Sequence, residues 1–476
     1  MEATSTSRSL VFLISGIAAM AGLLFGFDTG IISGALLFIE NDFILSIQMK
    51  EWIVSSVLFG AMTGSLFSGK LTDSVGRRHT MLLISGLFIS GTLIASLATT
   101  VSLILVGRLI IGLAIGIGSY TAPLYIAEIS PVQLRGALVS LNQLAITIGI
   151  LTSYLINYSF THSHGSWRWM FGIGIIPATL LSLGMIFLPE SPRWLIKKNQ
   201  TRRAIDILQK LLPKETIVHE VASIKHSLQT AKPRFRDILS PWIRPVLFLG
   251  ALLGFIQQAT GINTIIYYAP TIFKLAGFHD TSSSILATIG IGVVNVAATI
   301  FAVFYLDQLG RRPLLITGLI GMALSLLGLS LVFLFIDANL PSLRWIAMGC
   351  TFSFIICFAF SLGAILWLVV SEIFPLDLRG IAMSVAVFSC WFWNFAVSST
   401  FLSLLNTLGP SHTFLLYAIL CVFSLIFCYY KIPETCGVTL EQIEENIRNR
   451  LPLRQIGQPI RPRNIGTKRP ELQTTS

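Results

Sequence analysis

Asp28 is the only charged residue between Arg8 and Glu40, inside a long apolar run. A carboxylate at that depth in a bilayer costs about 3 kcal/mol on insertion scales, so such a residue is retained for a purpose. Arg108 is the only charged residue in the stretch 80–127. Counted at the helical rise, Asp28 lies about 15 Å and Arg108 about 9 Å from the same face, close enough in depth to meet. A carboxyl beside an arginine gives up its proton readily, and the same carboxyl desolvated alone holds it. A pair that parts and re-forms is a proton carrier; a pair that stays together is a static buried salt bridge. Both readings are open on these residues. Around Asp28, glycines 22, 26, 30 and 34 recur every fourth residue. That spacing puts them on one helix face, for close helix packing or for the approach of a ligand.

A second chemistry stands in the stretch Gly254 to Tyr268. Gln257, Gln258 and Asn263 bring donors and acceptors without charge into an otherwise apolar segment. Gln143, Asn295 and Asn394 add amides elsewhere, and Trp367 and Trp391 add indoles. Each alone reads as glue between helices. Together they suit a neutral polyhydroxylated solute, which needs amides for its hydroxyls and rings for its apolar faces.

These residues must be held by membrane helices. The chain has 476 residues, 54% hydrophobic and 12% charged, where soluble proteins average about 25% charged. Twelve runs of about 20 or more residues can each cross the hydrocarbon as a helix. Their approximate limits are 10–38, 51–71, 80–99, 102–127, 136–159, 167–188, 244–276, 284–306, 313–336, 344–371, 380–406 and 412–432. The fold class expected is an all-α membrane protein of two parallel six-helix repeats. The net charge of +11 follows from basic loops on one membrane face and does not require nucleic acid. The side opposite the termini holds only Lys50, Arg168, Lys274 and Arg344; this predicts that both termini are cytoplasmic. Five of the six cysteines lie in the spans and Cys436 follows the last, with no disulfide or metal spacing. The first run lacks a small-x-small cleavage pattern and is expected to be retained. The seven histidines sit in loops or at span ends, so no catalytic cluster and no bound cofactor is expected.

The expected divisions are a bundle over 1–188, a helical linker over 189–243, a second bundle over 244–434 and a tail over 435–476. Within the linker, 202–212 has amphipathic spacing. In the tail, Thr439 and Gln442 have capping-box spacing, and beyond about Leu451 disorder is expected. The halves repeat one another. Asp73 to Arg78 (DSVGRR) matches Asp307 to Arg312 (DQLGRR). Glu128, Pro131 and Arg135 match Glu372, Pro375 and Arg379. Pro189-Glu190-Ser191 matches Pro433-Glu434-Thr435. Parallel repeats of this kind suit alternating access around a midplane site. Glu128, Arg135, Glu372, Arg379, Arg77 and Arg311 are expected to form a cytoplasmic latch of ion pairs when that face is closed.

The chain resembles the sugar porter family of the major facilitator superfamily, including bacterial xylose and galactose proton symporters and mammalian glucose facilitators. The resemblance rests on GRR in both halves, PESPRW at 189–194, QQATGINTIIYY at 257–268 and PETCG at 433–437. It implies sugar contacts at Gln143, Gln257, Gln258, Asn263, Asn295, Trp367 and Asn394, with Trp391 lining the same cavity. It implies gating by Tyr267 and Tyr268. Asp28 matches the acid of proton-coupled members, where the glucose facilitators carry Asn, and Arg108 matches its partner. Cys390, Ile150 and Gly363-Ala364 depart from the relatives' residues, which leaves the particular sugar open. The expectation is a proton-coupled hexose or pentose symporter of a bacterial inner membrane, not an enzyme, working as a monomer on sugar, protons and lipid. A uniporter, a polyol or inositol porter and a membrane sugar sensor are the alternatives.

Overall fold

In a computed structural model, twelve helices among the described residues are long and apolar enough to cross a membrane. The structure describes residues 5–131, 134–163, 165–212, 214–229, 237, 240–278, 280–336, 340–375 and 378–458. The spans are Ser9–Asp42, Ile47–Val75, Arg77–Ser96, Val101–Ile129, Arg135–Ser159 and Ser166–Phe187, then Arg244–Leu275, Thr281–Tyr305, Arg311–Leu334, Pro341–Ile373, Arg379–Ser398 and Phe401–Lys431. Among the described residues there is no strand, as hydrocarbon demands of a backbone that must satisfy itself.

The glycine face of the first span serves close helix packing. A Cβ at Gly22 would stand 2.6 Å from the Asn142 carbonyl, and one at Gly26, Gly30 or Gly34 would collide with Ile146, Ser153 or Asn157 of the fifth span. With no hydrophobic force between helices in lipid, such backbone approach is what holds them together.

Several spans of the second half are interrupted. The seventh breaks at Gly261, whose φ of +84° is open to glycine at little cost. It bends again at Tyr268, two residues before Pro270. Proline has no N–H, so the carbonyl four residues back loses its partner; the Ile266 carbonyl instead accepts the Tyr154 hydroxyl of the fifth span at 3.1 Å. The tenth span changes to a π turn at Ala359–Gly363. The twelfth is kinked at Gly409 and Pro410. The sequence suggested a loop there; the structure instead ends the eleventh span at Ser398 and begins the twelfth at Phe401. The Gly-Pro pair bends a helix that the apolar residues 401–408 begin.

The repeat is visible in local geometry. Gly76 and Gly310 both have positive φ, +103° and +81°. Each lets a carboxylate sit on the first turn of the next span. Glu190 accepts from the Arg77 N–H at 2.8 Å and Glu434 from the Arg311 N–H at 3.1 Å, the favoured place for an anion on a helix.

Thr201–Leu211 of the linker is the amphipathic helix expected, burying Ala204, Leu208 and Leu211. In the tail, Thr439 accepts from the Gln442 N–H at 3.3 Å and starts the helix Leu440–Arg448. The disorder expected beyond Leu451 does not hold through 458. Ile456 is buried, and the Asn446 amide donates to the carbonyls of Ile456 and Gln458 at 2.9 Å each. Residues 459–476 lie outside the described residues.

Among the described residues, side-chain hydrogen bonds between the halves include Tyr154 to Ile266, Ser282 with His162, Ser403 to Glu51 and Tyr267 with Thr29. All lie at mid-depth or at the face away from the linker. At the linker face, Ser140 is half-buried and Ser384 exposed, and a Cβ at Gly136 or Gly380 would meet nothing within 4 Å.

Candidate functional site

Asp28 and Arg108 meet at mid-depth. Arg108 Nη1 lies 3.3 Å from Asp28 Oδ1, and both side chains are buried. The two are held unequally. Arg108 Nε donates to the Ile53 carbonyl at 2.6 Å and Nη2 to the Val54 carbonyl at 3.4 Å, and its guanidinium stands 5.7 Å from the Phe171 ring centroid. The arginine is therefore anchored on the second span without Asp28, while the carboxylate reaches it through one long bond.

The amides of the seventh span form a closed network. Asn263 donates to Gln258 Oε1 at 2.7 Å. Gln258 Nε2 faces Gln257 Oε1 at 3.3 Å and Cys390 Sγ at 3.1 Å, and the Cys390 thiol donates to Gln257 Oε1 at 3.3 Å. Gln257 Nε2 donates to the Leu362 carbonyl at 3.0 Å, a carbonyl inside the π turn where the regular ladder is shifted. Asn394 donates to the Tyr267 hydroxyl at 3.5 Å and accepts from Ser398 Oγ at 3.1 Å. The Trp391 ring packs on Phe25 of the first span, centroids 5.4 Å apart. Asn295 is buried, and Gln143 and Trp367 are half-buried. These three make no side-chain hydrogen bond among the described residues, so the structure does not tie them to the network.

The two tyrosines stand apart from the glutamines: Tyr267 brings Asn394 to the first span, and Tyr268 is held within the second half. The Tyr267 hydroxyl faces both Asn394 and Thr29, the residue after Asp28. Tyr268 donates to the Ser398 carbonyl at 3.2 Å and stacks on Phe401 at 5.0 Å.

The charged residues at the linker face pair inside each half. Arg77 grips Glu128 with two bonds, Nε to Oε2 at 2.8 Å and Nη2 to Oε1 at 2.9 Å, and reaches Asp73 at 3.1 Å. Arg311 meets Glu372 at 3.2 Å. Ser191 and Thr435 donate to these same glutamates. Arg379 donates to the Phe374 carbonyl at 3.4 Å, and Arg135 Nε is buried without a partner among the described residues. The sequence placed Glu128 and Arg77 in one set of expected ion pairs but did not say which partners meet. It gave Glu190, Ser191, Glu434 and Thr435 no task, although their repeat in both halves was the available signal. Glu51 had no such signal.

The family model for sugar (and other) transporters matches residues 14–447. The putative metabolite transport protein YwtG of Bacillus subtilis (strain 168) is 42% identical, over 91% of this chain and 94% of its own. The galactose-proton symporter of Escherichia coli (strain K12) is 40% identical, over 95% of this chain and 97% of its own. A solved inward-open conformation of the xylose transporter XylE from E. coli superposes with a TM-score of 0.81 at 31% identity, covering 91% of this chain and 99% of that one. On this agreement of sequence, fold and relatives, the chain belongs to the sugar porter family of the major facilitator superfamily.

Proposed function

We propose that the protein is a proton-coupled symporter that imports a hexose or pentose by alternating access, with both termini in the cytoplasm of a bacterial cell. The observation that carries this reading is the Asp28–Arg108 pair at 3.3 Å, in which the arginine has its own anchors on Ile53 and Val54. Such an arginine stays in place when the carboxylate lets go. With the outer face open, Asp28 takes a proton and leaves Arg108; with the linker face open, it gives the proton up and returns. The names of the galactose and xylose relatives support the substrate class.

Sugar enters the account through the amides. Gln257, Gln258 and Asn263 are paired with one another, so a sugar hydroxyl exchanges one set of hydrogen bonds for another. Beside that network, Asn394 and Tyr267 reach Thr29, the residue after Asp28. The tyrosines act as the gate on the outer side, and the linker-face pairs release or re-form as that side closes. Alternating access needs a difference in ligand affinity between the two states, and a sugar that bridges the amides to Tyr267 would supply it.

Uptake of a panel of labelled sugars by proteoliposomes, with and without an inward proton gradient, tests the reading. Accumulation of one monosaccharide that collapses with the gradient is expected. Equal uptake in both conditions would make the protein a uniporter, and uptake of inositol alone would make it a polyol porter. Reporter fusions at residue 163 and at the C-terminus are expected to read outside and inside, respectively.

A further inference from the structure

At the outer end of the second span, Glu51 is buried at 3% exposure. Its carboxylate accepts the Ser403 N–H on Oε1 at 2.7 Å and the Ser403 hydroxyl on Oε2 at 2.8 Å. Ser403 is the third residue of the twelfth span, in the opposite half of the molecule. That span begins without a side-chain cap of its own. The Thr400 hydroxyl, which stands where a cap would be, is turned back to the carbonyls of Ala396 and Val397. The N-terminus of the twelfth span is therefore capped across the seam, by a carboxylate from the other half, where the helix dipole favours negative charge.

Among the described residues Glu51 has no ionic partner. Lys50, next in the chain, pairs with Glu40 at 2.9 Å. Around the carboxylate the seam is aromatic. Trp52 and Phe59 pack on Phe395 of the eleventh span, with centroids 6.0 and 5.8 Å apart, and Tyr268 stacks on Phe401.

We propose that Glu51 and Ser403 form the outer latch of the transport cycle, a positioning pair that must break each time the outer face opens. The proposal rests on the alternating-access reading above and assigns the residues that hold one of its two states. The chemistry suits a switch more than a permanent clamp. In the closed state the helix N-terminus compensates the buried carboxylate; in the open state water does. The two states can therefore differ little in free energy, which a cycling transporter needs.

The test is hydrogen exchange on the full chain in nanodiscs, without sugar and without a proton gradient. Glu51→Gln removes the charge and one of the two acceptor contacts. Exchange is expected to quicken in the first turns of the second and twelfth spans. It is expected to slow at the linker-face ends of the fifth and eleventh, residues 135–143 and 379–386, as the molecule turns outward. The change should be about tenfold or more, the factor a hydrogen bond to a charged group carries in an equilibrium. Ser403→Ala keeps the backbone bond and should move the same segments in the same directions by less; it carries the test if Glu51→Gln fails to fold. Faster exchange at the outer end with no slowing at the linker face would make Glu51 a structural cap only and overturn the proposal, as would no change at either end. The proton-coupling reading is judged separately, by uptake.

Discussion

The two halves of the site differ in chemistry and in backbone. The first half brings a charge pair, Asp28 and Arg108, on spans that run unbroken past it. The second brings neutral amides and a thiol, Gln257, Gln258, Asn263, Cys390 and Asn394. Two of the spans around these are interrupted, the seventh by a left-handed glycine and the tenth by a π turn. A buried charge tolerates little displacement, because its partners must stay within hydrogen-bond reach. Glycines 26, 30 and 34 fix the first span against the fifth with no room for a methyl group. A sugar needs several hydrogen bonds that re-form around it, and broken helices supply the movable carbonyls and amides. On the proposed function, the proton belongs to the stiff half and the sugar to the deformable one.

The largest expected effect breaks the stiff half. Arg108→Ala leaves Asp28 and the Ile53 and Val54 carbonyls without their partner. Removing one member of a buried pair costs about 3–5 kcal/mol, so thermal unfolding should shift far down and coupled accumulation should be lost. In the deformable half, Gln257→Ala should weaken sugar binding by about 1–3 kcal/mol, read by calorimetry, while the melting temperature moves little. Unchanged affinity in a folded Gln257→Ala protein would remove this residue from the site. Gly261→Ala places a Cβ at positive φ, at a cost of about 1–2 kcal/mol. It should lower sugar affinity and leave proton binding at Asp28 unaltered. Cys390→Ala removes only weak thiol hydrogen bonds, and its effect on affinity should stay under about 1 kcal/mol. A loss as large as that of Gln257→Ala would show that the thiol organises the amides.

The same contrast explains what could be read from the chain. Apolar runs and repeated motifs located twelve spans, and depth counting brought Asp28 to Arg108, because a straight helix has a fixed rise. Thr439 announced its helix by local spacing. The broken places were less legible. Gly409-Pro410 looks the same in a sequence whether it ends a helix or bends one. The π turn at 359–363 has no glycine–proline signature, and its effect, a carbonyl at Leu362 facing Gln257, exists only in three dimensions. Glu128 sits seven residues from Arg135 but pairs with Arg77 on another span, a choice made by packing. Glu51 reads as an ordinary charge near a span end until Ser403, from the far end of the chain, is seen upon it. The docking of 451–458 depends on one buried asparagine, Asn446, that composition cannot flag.

The central claim is that Asp28 carries the coupled proton, and Asp28→Asn tests it most directly. Asparagine is nearly isosteric and permanently neutral, and Arg108 retains its anchors on Ile53 and Val54. Sugar accumulation in vesicles under an inward proton gradient is measured beside counterflow without one. The account predicts that Asp28→Asn keeps counterflow and loses uphill accumulation. Accumulation against the sugar gradient by the Asp28→Asn protein would contradict it and leave the Asp28–Arg108 pair a static salt bridge.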